Sequence, residues 1–230
     1  DRITIAVLIL LFGIVANIIL SRKITKPIEA LVKGTKRISS GNYDFKIDVT
    51  GDDEIRELTT SFNQMTTERK QAEEKLKNTL DASIQTMSKI IEVKDPYTAG
   101  HQQRVSQLTT AIAKELNLSP DKIEGIRIAS LIHDIGKIGV PTEILSKTTT
   151  LSDIEFSLIK EHSQIGYDIL KAIDFSYPVA QIVLQHHERL NGSGYPNNLK
   201  GDEILLEARI IGVADVVEAM SSHRPYRPSL

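Results

Sequence analysis

An uncharged run of eighteen residues, Ile3 to Leu20 (ITIAVLILLFGIVANIIL), constrains this chain more than any other stretch. As a helix it is long enough to cross a hydrocarbon core of about 30 Å. It is predicted to be a transmembrane helix, residues 1–20. The alternatives are a buried core helix or a retained signal-peptide core, and a signal core is usually shorter and followed by a small-residue cleavage site. Between Ser21 and Ser40, six basic residues (Arg22, Lys23, Lys26, Lys33, Lys36, Arg37) face a single acid, Glu29. By the positive-inside rule the remainder of the chain is expected on the cytoplasmic side of a bacterial-type inner membrane. Asp1 rather than Met stands directly before the apolar run, which reads as a fragment whose upstream part is missing.

At about 150 residues per domain, 230 residues suggest one or two domains. The 28 basic and 30 acidic side chains leave a net charge of -2, so no global basic field points to a nucleic-acid polymer as partner. With no Cys there is no disulfide framework, no thiolate zinc site, no iron–sulfur cluster and no Cys nucleophile. Any metal here must be held by His and carboxylate groups.

After the basic segment a helix begins near Lys26-Pro27, with apolar positions Ile28, Leu31, Val32 and Ile38, and the turn-rich Ser39-Ser40-Gly41-Asn42 ends it. Phe45, Ile47 and Val49 alternate with polar residues as an extended connector, and Gly51-Asp52-Asp53-Glu54 opens a second helix with acids at its positive end. Leu58, Phe62 and Met65 continue as a coiled-coil seam. This pattern, carried by Pro27 and by Asp53-Glu54, resembles the HAMP signalling module over residues 21–73. The resemblance implies a parallel homodimer that relays a signal across the membrane; a juxtamembrane helix pair without a relay role is the alternative. Residues 74–93 read as a coiled-coil linker through Leu76, Leu80, Ile84, Met87 and Ile91, whose steps of four, four, three and four contain a stutter. Packing into the next domain explains Ile84 onward equally well.

From Asp81 to Leu230 a helical period repeats without a convincing strand, so the fold class is all-α, with residues 94–230 as the last domain. Val105, Leu108, Ile112 and Leu116 form one face, Ile123, Ile126, Ile128 and Leu131 a second, and Ile154, Leu158, Ile159, Ile165 and Leu170 a third. All six histidines fall here: His101, His133, His162, His186, His187 and His223. Gly and Pro stop a helix just after His133-Asp134, His186-His187 ends another, and Asp215 sits in an otherwise apolar helix where an unpaired carboxylate is costly to bury. Such an acid calls for a cation.

Five stretches follow in order: DPYTAGHQQRV (95–105), HDIGKIGVP (133–141), EHSQIG (161–166), HHERLNGSGYP (186–196) and ADVVEAMSSHRPYR (214–227). Together they resemble the HD superfamily of metal phosphohydrolases, and within it the HD-GYP cyclic di-GMP phosphodiesterases. The resemblance implies an HD-type helical bundle with a di-metal centre, hydrolysing cyclic di-GMP to linear pGpG, with the end product either pGpG or GMP. The alternatives are another cyclic dinucleotide or nucleotide as substrate, and a module that binds cyclic di-GMP or a protein without turnover. Phosphodiester hydrolysis needs hydroxide at neutral pH and positive charge on the phosphate oxygens, and two metals about 3.5–4 Å apart supply both.

By residue-for-residue resemblance, His101, His133, Asp134 and Asp215 hold one metal, and Asp134, His162, His186 and His187 the other, so Asp134 bridges. Sulfur-free ligation suits iron or manganese, and zinc less exclusively. Lys137 is expected to donate to the attacked phosphate or the leaving oxygen, or else to be a surface loop lysine. The loop of Gly194 and Tyr195 borders the substrate site in the family and takes part in protein contacts, with Tyr195 able to stack on guanine. Arg224 and Arg227 match positions that face the ligand phosphates, or are solvated surface charge. Four departures from the family pattern stand out. Leu190-Asn191 replaces Trp-Asp, Ser163 replaces Pro, and Tyr97 stands where some members place an acid for a third metal. His223 replaces a common acid and has no role in this reading. The chain stops at Leu230 before the helices that normally close the domain, so its C-terminus reads as truncated.

Overall fold

The computed structural model describes residues 2–49, 54–95 and 98–222, and among these no strand occurs. Two compact units divide near Thr79 and Leu80. In the first, α1 (Arg2–Leu20) runs through a π turn (Ser21–Thr25) into α2 (Lys26–Ser39). Pro27 lacks an N–H and its ring crowds the preceding turn, and the wider turn relieves this, with the Lys26 amide reaching back to the Ser21 carbonyl. No residue of α1 is buried, and the helix is long and apolar enough to cross a membrane.

Gly41, at φ 81°, turns the chain after α2 into the connector. A Cβ on Gly34 would lie 2.9 Å from the Phe62 ring and 3.0 Å from that of Phe45, so glycine there lets the connector and α3 (Glu54–Lys94) close onto α2. Leu31, Ile47 and Phe62 form the resulting small core. Asn63 fixes the connector, its side chain accepting from the Ile47 amide (3.0 Å) and donating to the Ile47 carbonyl (2.8 Å). The predicted seam therefore divides: Phe62 turns into its own chain, while Leu58 and Met65 stay exposed. On an ideal helix Phe62 lies about 40° from Leu58 and about 60° from Met65, so the edge of the small core falls between neighbouring positions of the seam.

The second unit is a bundle of α4 (His101–Glu115), α5 (Pro120–Ile132), α6 (Thr142–Leu145), α7 (Asp153–Lys160), α8 (His162–Leu170), α9 (Val179–Gln185) and α10 (Leu206–Ser221). Val105, Ile126, Leu131, Ile182, Val183 and Ile211 are sealed in its centre, at most 1% exposed. Burying each contributes about 1.5–3 kcal/mol. Ile84, Met87 and Ile91 pack into this core, so the C-terminal end of α3 belongs to the bundle, whereas Leu76 and Leu80 remain exposed. The third predicted face breaks at Glu161: Ile154 is 75% exposed on α7 while Leu170 is buried on α8. The step of six between Ile159 and Ile165 fits no helical period, and the chain divides into two helices there.

Candidate metal centre

Helix ends leave carbonyls without partners, and three of the histidines are placed where they satisfy one. The Nδ1 atoms of His133, His162 and His186 lie 2.8, 2.6 and 2.5 Å from the carbonyl oxygens of Ser130, Ile159 and Val183, each three residues earlier. A carbonyl only accepts, so each Nδ1 carries the proton and each Nε2 presents a lone pair. His101 follows the same logic with a side chain: its Nδ1 donates to Glu218, which also accepts from Arg104 Nε (2.7 Å) and from Ser222.

The Nε2 ends converge. Ligand atoms of His101, His133 and Asp215 lie within 4.8 Å of one another, and so do those of His162, His186 and His187. Asp134 stands between the two triads: its Oδ2 is 3.4 Å from His133 Nε2 and its Oδ1 is 3.6 Å from His162 Nε2. His101 Nε2 lies 3.1 Å from Asp215 Oδ1, and His162 Nε2 is 3.3 Å from His186 Nε2.

Electrostatics favours the charge states a cation needs. Burial alone would raise the Asp134 carboxyl, but Lys137, His133, His162 and His101 outweigh it and hold it well below the usual carboxylate range. Asp215 is likewise lowered, through His101 and the neighbouring imidazoles against its own burial. Burial pushes His162 and His186 down, and takes His187 to about 3, so these rings are neutral at physiological pH. Neutral His162, His186 and His187 beside ionised carboxylates, with His187 and Asp215 half-buried and the other ligands buried, are a donor set suited to divalent cations.

Lys137 is not a surface lysine. Its half-buried ammonium lies 2.9 Å from Asp134 Oδ2 and 3.0 Å from Asp95 Oδ2, and these two acids outweigh desolvation to raise its pKa. Tyr195 lays its ring over His187, at 4.7 Å between centroids and 33°, and meets His162 edge-on at 6.4 Å. Gly194 is buried beneath it, where a Cβ would come within 2.4 Å of the Glu188 and Arg189 backbone. Glu188 ties the same loop down by accepting from the amides of Asn197 (2.7 Å) and Leu199 (3.0 Å).

All seven residues expected to hold metal, together with Lys137, Gly194 and Tyr195, thus meet in one place. Arg224, Arg227, His223 and Tyr97 lie outside the described residues. Sequence reasoning gave no role to Asp95, Gln102, Arg104 or Glu218, which support the centre; the Gln102 amide, fully buried, lies 3.4 Å from Asp134 Oδ2. Helical spacing was the available signal, since Glu218 follows Asp215 by three and Arg104 follows His101 by three.

Residues 85–230 match the model of the HD domain. The chain belongs to the HD domain family. Residues 19–68 match the HAMP domain ahead of it. A 3'3'-cGAMP-specific phosphodiesterase 3 of Vibrio cholerae is 40% identical over 151 residues, which cover 66% of this chain and 33% of that protein. A cyclic di-GMP phosphodiesterase of the same organism is 31% identical over 224 residues, covering 91% of this chain and 46% of the relative. A cyclic di-GMP phosphodiesterase of Thermotoga maritima is 40% identical over 148 residues, or 63% of this chain and 40% of its own length. The chain therefore spans between a third and somewhat under half of these relatives. An HD domain preceded by a HAMP module and an apolar helix is the organisation the sequence motifs implied.

Proposed function

We propose that this chain is a membrane-anchored, homodimeric phosphodiesterase that hydrolyses cyclic di-GMP to linear pGpG at two divalent cations, with iron or manganese favoured by the sulfur-free donor set. The observation that carries this reading is the pair of triads set on opposite oxygens of one buried carboxylate. In it His101, His133 and Asp215 hold one ion, His162, His186 and His187 the other, and Asp134 both. When bound, the two ions supply a nucleophile at neutral pH and neutralise charge on the phosphate oxygens.

The chain's own residues do the remainder. Carbonyl and Glu218 contacts fix the orientation of four imidazoles before anything binds, so little rearrangement is needed on loading. Lys137, kept charged by Asp95 and Asp134, donates a proton or a hydrogen bond at the leaving oxygen, and Asp95 positions it. Tyr195, at the centre's edge over His187, offers the edge of its ring to a nucleobase. The exposed Leu58, Met65, Leu76 and Leu80 of α3 supply an apolar seam for a second copy.

A 3'3'-cGAMP substrate is the second reading, favoured by the name of a relative at 40% identity. Both are tested together. The chain is purified without oxygen in detergent, its metals are quantified, and cyclic di-GMP and 3'3'-cGAMP are offered in parallel. About two ions per chain and faster loss of cyclic di-GMP are expected. A preference for cGAMP selects the second reading, and absence of turnover with a fully metallated site refutes both.

A further inference from the structure

Helix α7 carries a cation next to the centre that the proposed chemistry does not use. The Lys160 ammonium lies 4.7 Å from the centroid of the Phe156 ring and 5.7 Å from that of Tyr195, both within the reach of a cation–π attraction. Tyr195 in turn rests on His187. A positive charge is therefore held one aromatic ring away from the second triad.

Two other cations near the centre are engaged with acids, Lys137 with Asp134 and Asp95 and Arg104 with Glu218, while Arg189 turns to the Glu188 carbonyl at 3.4 Å. Lys160 has no acidic partner within ion-pair distance among the described residues. Glu155, on the same helix, is occupied by Lys147 at 2.7 Å and by the Ser152 cap. Ring faces hold an ammonium in place but satisfy its three N–H donors poorly, so those donors remain for an anion. Phe156 is 45% exposed, which leaves this corner open to a ligand.

We infer that Lys160, positioned by Phe156 and Tyr195, binds the non-reacting phosphodiester of a cyclic dinucleotide while the other phosphodiester lies at the triads. The inference rests on the cyclic-dinucleotide reading of the site. Such a substrate carries two phosphate charges, and the centre has use for one of them. A second cation at a fixed distance from the triads tells a cyclic dinucleotide from a phosphodiester with a single charge.

The test compares the full chain with its Lys160→Gln and Lys160→Arg variants on cyclic di-GMP and on bis(p-nitrophenyl) phosphate, which has one phosphate and no base. Lys160→Gln is expected to raise KM for cyclic di-GMP about tenfold, as for loss of one charged contact. Its loss in kcat/KM is expected to be at least about five times larger on cyclic di-GMP than on the small diester. Lys160→Arg should recover most of the loss. KM of the parent should also rise with ionic strength more steeply than that of Lys160→Gln. An equal loss on both substrates, or an unchanged KM for cyclic di-GMP, overturns the inference and leaves the proposed function standing. A parent chain that splits bis(p-nitrophenyl) phosphate but no cyclic dinucleotide overturns both.

Discussion

Glu218 accepts a hydrogen bond from His101 Nδ1 while its other oxygen holds Arg104 at 2.7 Å, so a buried carboxylate orients the ring whose Nε2 faces Asp215. Such partners typically matter about 10–100-fold in metal affinity. Glu218→Gln keeps an acceptor but removes the charge, and Glu218→Ala removes both. Chelator competition should show one ion per chain weakened about tenfold in the first variant and about a hundredfold in the second, with the other ion retained. Equal weakening of both ions contradicts this division of ligands.

Lys137 is held between the carboxylates of Asp134 and Asp95, and the proposed function gives it to substrate rather than to metal. Lys137→Ala should keep the metal content near that of the parent while lowering kcat by about 10²–10⁴-fold. Asp95→Asn should lower kcat less, because the ammonium survives with one anchor fewer. Metal analysis beside steady-state kinetics checks both, and loss of metal from Lys137→Ala shows that the role is misassigned.

Gly136 packs its turn (Ile135–Gly139) against α8, where a Cβ would lie 1.8 Å from the His162 carbonyl oxygen. Backbone cannot yield as a side-chain tip does, so Gly136→Ala should destabilise the bundle by at least about 1–3 kcal/mol. Thermal unfolding of the bundle measures it. An unchanged midpoint means that the turn and helix part without cost.

Residue type carried the centre in the sequence more fully than periodicity carried the helices. His133-Asp134 and His186-His187 at helix ends and Asp215 within an apolar helix pointed to a cation, and the family resemblance added His101 and His162 to the set. Phe62 shows the limit of periodicity: the same spacing describes a seam between chains and a contact within one, and Gly34 decides between them by leaving room for the ring. Ile84 and Ile91 are similar, equally at home in a coiled coil or a core, and they are 4% and 2% exposed in the bundle. Asp95 and Glu218 went unassigned because each acts through another side chain, a relationship that becomes visible only with distances.

Helix α3 runs unbroken from Glu54 to Lys94, and its last turns are built into the bundle core. Inserting four residues after Lys77 rotates the downstream part of the helix by about 40°, whereas seven restore the phase to within about 20°. Neither insertion touches the core contacts of Ile84 or Ile91. Turnover measured in membranes should change strongly with four and weakly with seven; equal activity in both and in the parent means that the helix is a tether without a relay.

The most direct test of the account is the metal content and cyclic di-GMP turnover of Asp134→Ala, prepared without oxygen beside His133→Ala and the parent. Asp134 faces both triads, so its loss should deplete both ions and abolish hydrolysis, whereas His133→Ala should abolish hydrolysis while depleting chiefly the ion it shares with His101 and Asp215. Asp134→Ala with the parent's metal content and turnover would contradict the two-metal centre.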